Sequence, residues 1–145
     1  MNTIIRITTL VIIAAMAILT SCKQSPRQTL IGEYKISDMT TDLKMSDDDR
    51  AAWQSAIEEY KQSTVFILKG DGSMQQTIDG VTQKGTWEVL GEASEEGESM
   101  ILKIILEGKS TINMEIHDLT SNGFVYTQYD ETTKSKTVIT YSKVK

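Results

Sequence analysis

The chain has 145 residues, 24% of them charged, and a formal net charge of −5 at pH 7. An acidic chain without a Lys/Arg stripe is a poor partner for nucleic acid, so no nucleic-acid partner is expected. One cysteine and one histidine exclude an internal disulfide and any metal centre that needs several of either.

The first segment reads as a leader. Arg6 and the N-terminal amine give a positive, acid-free start, and Ile7 to Leu19 is interrupted only by Thr8 and Thr9. A membrane span needs roughly 20 apolar residues, and this shorter run suits the core of a signal peptide. Leu19-Thr20-Ser21-Cys22 resembles a bacterial lipobox. The resemblance implies cleavage before Cys22, a diacylglyceryl thioether on its sulfur and an acyl group on the new amine. Several chains anchor firmly, at about 0.8 kcal/mol per buried CH₂, so the membrane itself becomes a partner through Cys22. The same residues also admit an uncleaved anchor helix or a secreted protein with a free thiol. Residues 1–21 are thus expected to be signal peptide, 22–29 a lipidated tether and 30–145 the folded domain. Such lipoproteins sit in the cell envelope, here the outer membrane. Lys23-Gln24-Ser25 lacks the acidic run that sends some of them to the outer face, which favours the periplasmic side.

Cleavage would leave 124 residues with a formal charge of −6, enough for one core and not two. Lys23 to Thr29, with the only proline at Pro26, shows no periodicity and reads as a tether. Leu30, Gly32, Tyr34 and Ile36 alternate on one face of a first strand. A link over Met39 to Lys44 leads to one helix. Ser46 and Asp49 form a capping box, and Asp47, Asp48 and Asp49 favour the positive end of the dipole. The helix is predicted to run to Gln62, with Ala52, Trp53, Ala56, Ile57 and Tyr60 on one apolar face.

Strands and turns follow to the end. Thr64–Lys69 and Ser73–Ile78 flank Gly70-Asp71-Gly72, and Asp79-Gly80 closes a second tight turn. Val81 to Leu90 puts Trp87 and Val89 on one face, and Gly91 to Glu98 is an acidic loop. In Ser99 to Leu106 the inner face is Met100, Leu102, Ile104 and Leu106. In Ser110 to His117 it is Ile112, Met114 and Ile116. Leu119 to Gly123 turns into Phe124–Tyr129, and Asp130 to Lys134 turns into Ser135–Val144.

The expected fold is mainly β, an antiparallel up-and-down barrel of about eight strands with one amphipathic helix between strands 1 and 2. Closure removes the exposed edges, and eight strands leave room for side chains or one small ligand. An open sheet curled around the helix is the other arrangement that fits. Leu30-Ile-Gly-Glu-Tyr34, Phe66 with Asp71-Gly72, Gly85-Thr86-Trp87-Glu88 and Met114-Glu-Ile116 through Leu119-Thr-Ser-Asn-Gly-Phe-Val125 carry a further likeness. Together they resemble the small lipocalin-like domains of Gram-negative lipoproteins, many of unassigned function. Two departures stand out: Tyr34 replaces the first-strand tryptophan of lipocalins, and the helix follows strand 1. No binding residue is carried over from that family.

Catalytic residues and cofactors are expected to be absent. A hydroxyl–histidine–acid relay would have to use His117, which alternation places outward. The Asp47–Asp49 run is explained as helix-start chemistry and not as a calcium loop. Glu92, Glu95, Glu96 and Glu98 read as a solvated loop, so no metal site is expected. Trp53, Ile57, Tyr60, Phe66, Trp87, Phe124 and Tyr126 are the candidate lining of a ligand cavity, and a filled core would use the same residues. Two functions fit: an anchored barrel binding a small apolar or amphipathic ligand under the helix, or a non-catalytic accessory subunit of an envelope complex with a filled barrel.

Replacing Cys22 with alanine should leave an unprocessed precursor or a soluble product. Metabolic labelling with a radioactive fatty acid checks this, and unchanged labelling of the variant refutes the anchor.

Overall fold

The computed structural model describes residues 24–91, 99–108 and 110–145. The leader, the lipobox with Cys22 and the glutamates of the acidic loop lie outside them. The elements in order are α1 (Pro26–Leu30), β1 (Gly32–Thr41), α2 (Asp47–Ser63), β2 (Val65–Leu68), β3 (Ser73–Ile78), β4 (Val81–Leu90), β5 (Met100–Leu106), β6 (Thr111–Thr120), β7 (Gly123–Asp130) and β8 (Ser135–Lys143). Each strand pairs antiparallel with the next, and β8 returns to β1, giving a closed eight-stranded barrel. The helix between strands 1 and 2 is in place.

Alternation decides what fills the interior. On β5, Met100, Leu102 and Ile104 are buried while Ile101 and Ile105 are exposed, as a two-residue period requires. Tyr34 and Ile36 on β1, Phe66 and Leu68 on β2, Met74 on β3 and Trp87 on β4 meet them in one core. β6 to β8 add Met114, Ile116, Phe124, Ile139 and Tyr141. Four rings form a connected row. Tyr34 meets Phe124 edge-on at 5.0 Å, Phe124 stacks on Tyr141 at 5.0 Å, and Tyr141 is tilted against Phe66 at 5.8 Å. Each such pair adds about 0.5–1.5 kcal/mol beyond the area it buries.

The barrel's two ends differ. At the α1 end, residues expected to be tether are helical, and Leu30 is fully buried. Pro26 suits the first helical position, and Ser25 caps it through the Gln28 amide. The Tyr34 hydroxyl donates to the Leu30 carbonyl at 2.8 Å, and Lys143 Nζ donates to the carbonyls of Thr29 and Ile31. A cation on the last carbonyls of a helix opposes its dipole favourably. Arg27 then lies 5.1 Å over the Trp87 ring. Sequence periodicity does not reveal α1, because five residues carry too short a period to show and the plug depends on partners distant in sequence.

At the α2 end the cover is looser. Ser46 caps the helix as expected: its Oγ accepts from the Asp49 amide and bonds the Asp49 carboxylate at 2.6 Å. Of the predicted apolar face only Ile57 is buried, while Trp53 and Tyr60 are half-buried and Ala52 and Ala56 exposed. α2 rests chiefly on β1 and β3. Two strands also run further than alternation predicted. β1 extends to Thr41 because an irregularity at Ser37 restores pairing with β8. β6 extends to Thr120 through a break after His117, where Asp118 takes φ 52°. Such irregularities invert the apolar phase and so mimic a strand end.

Two glycines let neighbouring strands approach. A β-carbon at Gly85 would meet the Ile105 carbonyl oxygen of β5, and one at Gly123 the Tyr141 carbonyl oxygen of β8. Gly85→Ala and Gly123→Ala should each destabilise the fold by about 1–3 kcal/mol, the range for overpacking. Urea unfolding measures this, and Gly80→Ala, whose β-carbon would meet nothing within 4 Å, separates crowding from turn strain.

Candidate functional site

The candidate residues separate into two groups. Phe66, Trp87 and Phe124 are 1–3% exposed and belong to the packed core. Trp87 Nε1 is satisfied by the Lys69 carbonyl at 2.9 Å. Phe66 and Phe124 hold the barrel together, while Trp87 also borders an open groove near α1 with Arg27, Asp71, Thr86 and Lys103. Met74, Trp87, Leu102 and Met114 are all 6% exposed or less, so side chains fill the interior where a deep ligand chamber would sit.

Trp53, Ile57, Tyr60 and Tyr126 lie at the α2 end. Trp53 and Ile57 line a half-open groove of about 500 Å³ between α2 and the second half of β1. Met39 supplies further apolar wall, and Asp38, Thr40, Thr41, Gln54, Glu58 and Lys61 supply the polar remainder. Pockets for small ligands typically span 300–1,000 Å³. Lys61 pairs with Glu58 at 2.9 Å, an exposed i,i+3 contact that contributes little to stability.

Tyr60 and Tyr126 pack against the core that holds a third phenol, Tyr141, which belonged to no candidate list. Tyr126 pairs with Ile139 across β7 and β8, so Tyr126 and Tyr141 face the same interior. Burial raises the pKa of Tyr141, and the neighbouring Tyr60 and Tyr126 add to the shift. Burial also raises Tyr126 and holds Tyr34 up at about 12. All are therefore neutral hydrogen-bond donors at physiological pH. Tyr141 was missed because its strand reads as ordinary alternation, and only closure onto β1, where it pairs with Ile36, sets it among the other core rings.

The remaining candidates take structural roles. His117 lies on the outer flank, with Nδ1 2.9 Å from Asp118 Oδ2 and Nε2 2.9 Å from Thr127 Oγ1. The order hydroxyl–imidazole–carboxylate matches a hydrolase relay, but it spans the β6 irregularity on an exposed surface and serves to tie β6 to β7. Asp47, Asp48 and Asp49 occupy the first turn of α2. Among the described residues no group of three or more His, Cys, Asp or Glu comes together. Asp71 and Asp130 are held below the usual carboxylate range by hydrogen bonds within their turns, from Ser73 and from the Thr133 and Thr132 amides.

No family model matches the chain, and no curated protein does. Among solved structures, a DUF4847 family protein from Bacteroides vulgatus ATCC 8482 is similar at 13% identity with a TM-score of 0.48, covering 79% of this chain and 94% of that one.

The raised tyrosines give a pH dependence of definite sign. A phenol whose folded pKa exceeds its unfolded value of 10.0 stabilises the fold fully below pH 10, and that stability is lost as pH rises towards about 12. An alkaline titration should therefore show some phenolate absorbance appearing late, together with loss of near-ultraviolet circular dichroism. Titration of all five tyrosines near pH 10 with the fold intact would contradict this burial.

Proposed function

We propose that this is a lipid-anchored envelope protein with a lipocalin-like barrel, non-catalytic, that holds a small amphipathic ligand at the α2-covered mouth and not in a deep chamber. The groove between α2 and β1 carries this reading. It combines a half-buried tryptophan and two aliphatic walls with a polar rim, the lining expected for a molecule with both characters. The packed interior leaves the mouth as the place for such a molecule.

The anchor would orient this site. Pro26, where α1 starts, is four residues after Cys22, a reach of roughly 14 Å when fully extended. With lipid on Cys22, the α1 end faces the bilayer and the groove opens away from it. A ligand would then enter from the aqueous side of the envelope, on the periplasmic face.

An accessory subunit is the second reading, favoured by Leu90 and Ile101, which pair on the outer surface of β4 and β5 and are 41% and 40% exposed. Native mass spectrometry of the full mature protein, purified from its own host, separates the two. Ligand binding predicts a stoichiometric small-molecule adduct on the wild type that Trp53→Ala loses. A bare wild-type mass, with adducts only of a second protein, would favour the accessory role.

A further inference from the structure

β1 is paired unequally on its two sides. Towards β8 its pairing runs on to Thr41, whereas towards β2 it covers only Gly32 to Lys35, against Leu68 to Val65. Ahead of Val65 the chain is already α2, joined to β2 through Thr64. On that side the second half of β1 therefore meets a helix instead of a strand. The groove runs along this meeting, lined by residues 38–41 of β1 and by Trp53, Ile57 and Glu58 of α2.

The register settles which main-chain groups face the groove. The Asp42 amide donates to the Lys136 carbonyl of β8 at 3.2 Å. Alternate residues of a strand send their main-chain groups to opposite sides. Asp38 and Thr40 thus turn theirs to β8, and Met39 and Thr41 turn theirs to the groove. A strand edge is a template for another chain, because its donors and acceptors repeat at the spacing of an extended polypeptide. Residues 38–41, Asp-Met-Thr-Thr, hold neither the lysine nor the proline that commonly blunts such an edge.

Side chains narrow the choice of segment. The groove lining carries two carboxylates, Asp38 and Glu58, and one ammonium, Lys61, which Glu58 holds at 2.9 Å. This balance repels an acidic segment and attracts a basic one. Trp53 is half-buried in the wall, and Met39 packs on the edge of the core. Successive side chains of a strand point to opposite faces, so one segment can set an apolar group on Trp53 and hold its charge at the rim.

We propose that the groove takes an extended segment of a partner protein that carries a lysine or arginine. The segment adds to β1 as a strand through the main chain of Met39 and Thr41, the mode known as β-augmentation, and lays an apolar side chain against Trp53. This rests on the groove reading given above and names its amphipathic ligand as a peptide.

A phage-displayed library of random heptapeptides, selected against the full protein purified from its own host, supplies the probe. Enriched segments should alternate apolar and polar residues, carry lysine or arginine and lack a central proline. One of them, made synthetically, is then methylated on alternate amide nitrogens. One set of methyl groups should weaken binding by about tenfold or more, since each hydrogen bond lost is worth about threefold to tenfold. The other set should change it by less than about twofold. Thr41→Pro removes a groove-facing amide while sparing the β8 ladder, and should weaken the peptide by about threefold to tenfold with the circular dichroism unchanged. Asp38→Asn should weaken it at low salt and not at high salt, and reports even if the proline disturbs β1.

If both methylated peptides bind like the parent while Trp53→Ala abolishes binding, the strand assignment is overturned and the groove reading stands. If no segment is enriched but native mass spectrometry shows a small adduct that Trp53→Ala loses, the peptide is overturned and the groove again stands. Binding that Trp53→Ala leaves unchanged, or neither segment nor adduct, overturns the groove reading as well. A wild-type dimer that Thr41→Pro dissolves would give the edge to a second copy of the chain and overturn the partner segment.

Discussion

An eight-stranded barrel is just wide enough for side chains to fill, and here a row of four rings does the filling. Tyr34, Phe124, Tyr141 and Phe66 cross from β1 through β7 and β8 to β2 at centroid distances of 5.0 to 5.8 Å. The row also sets the barrel's polarity. Its first phenol points to the α1 end, where it bonds the Leu30 carbonyl. Its third, Tyr141, is buried on β8 opposite Ile36 of β1. The α1 end is therefore closed by a satisfied hydroxyl, whereas at the other α2 buries only Ile57.

That asymmetry follows from how each helix is held. α1 is short, but Leu30 is fully buried, Lys143 covers its final carbonyls and Arg27 sits on Trp87. Burying one leucine contributes roughly 1.5–3 kcal/mol, so the plug outweighs what five residues of helix could supply alone. α2 has 17 residues and one buried side chain, Ile57. Length and packing run in opposite directions in the two helices.

Much of this was legible in the sequence. The bounds of β3 and β4 follow from alternation and from Asp79-Gly80, and the start of α2 follows from Ser46 and Asp49, because these signals are local. Closure into a barrel was legible through strand number and turn length. What was not legible depends on contacts across the chain. The irregularities at Ser37 and Asp118 invert the apolar phase, so β1 and β6 looked shorter than they are. α1 needs Lys143 and Tyr34 to exist. Of the candidate lining residues, Trp53 and Ile57 border the groove beside α2, whereas Phe66 and Phe124 lie in the packed core. The same residue types serve core and lining, and only the strand register tells which.

The groove proposed as the site lies beside a loosely held helix. Helices draw most of their stability from tertiary packing, and an isolated one of this length is marginal in water. The capping box at Ser46 adds about 1 kcal/mol, and Asp47 to Asp49 at the positive end of the dipole add about 0.3–1 kcal/mol each at an exposed site. Those terms hold α2 helical without fixing it to the barrel. The barrel does not need α2 for closure, since β1 and β2 pair directly from Gly32–Leu68 to Lys35–Val65. The strand pairing and the ring row are therefore complete without α2. Elements that move are drawn from the least stable parts of a fold. Here such an element carries Trp53 and Tyr60 to the edge of the core, so in the proposed reading a ligand would displace only the loose contacts of one helix.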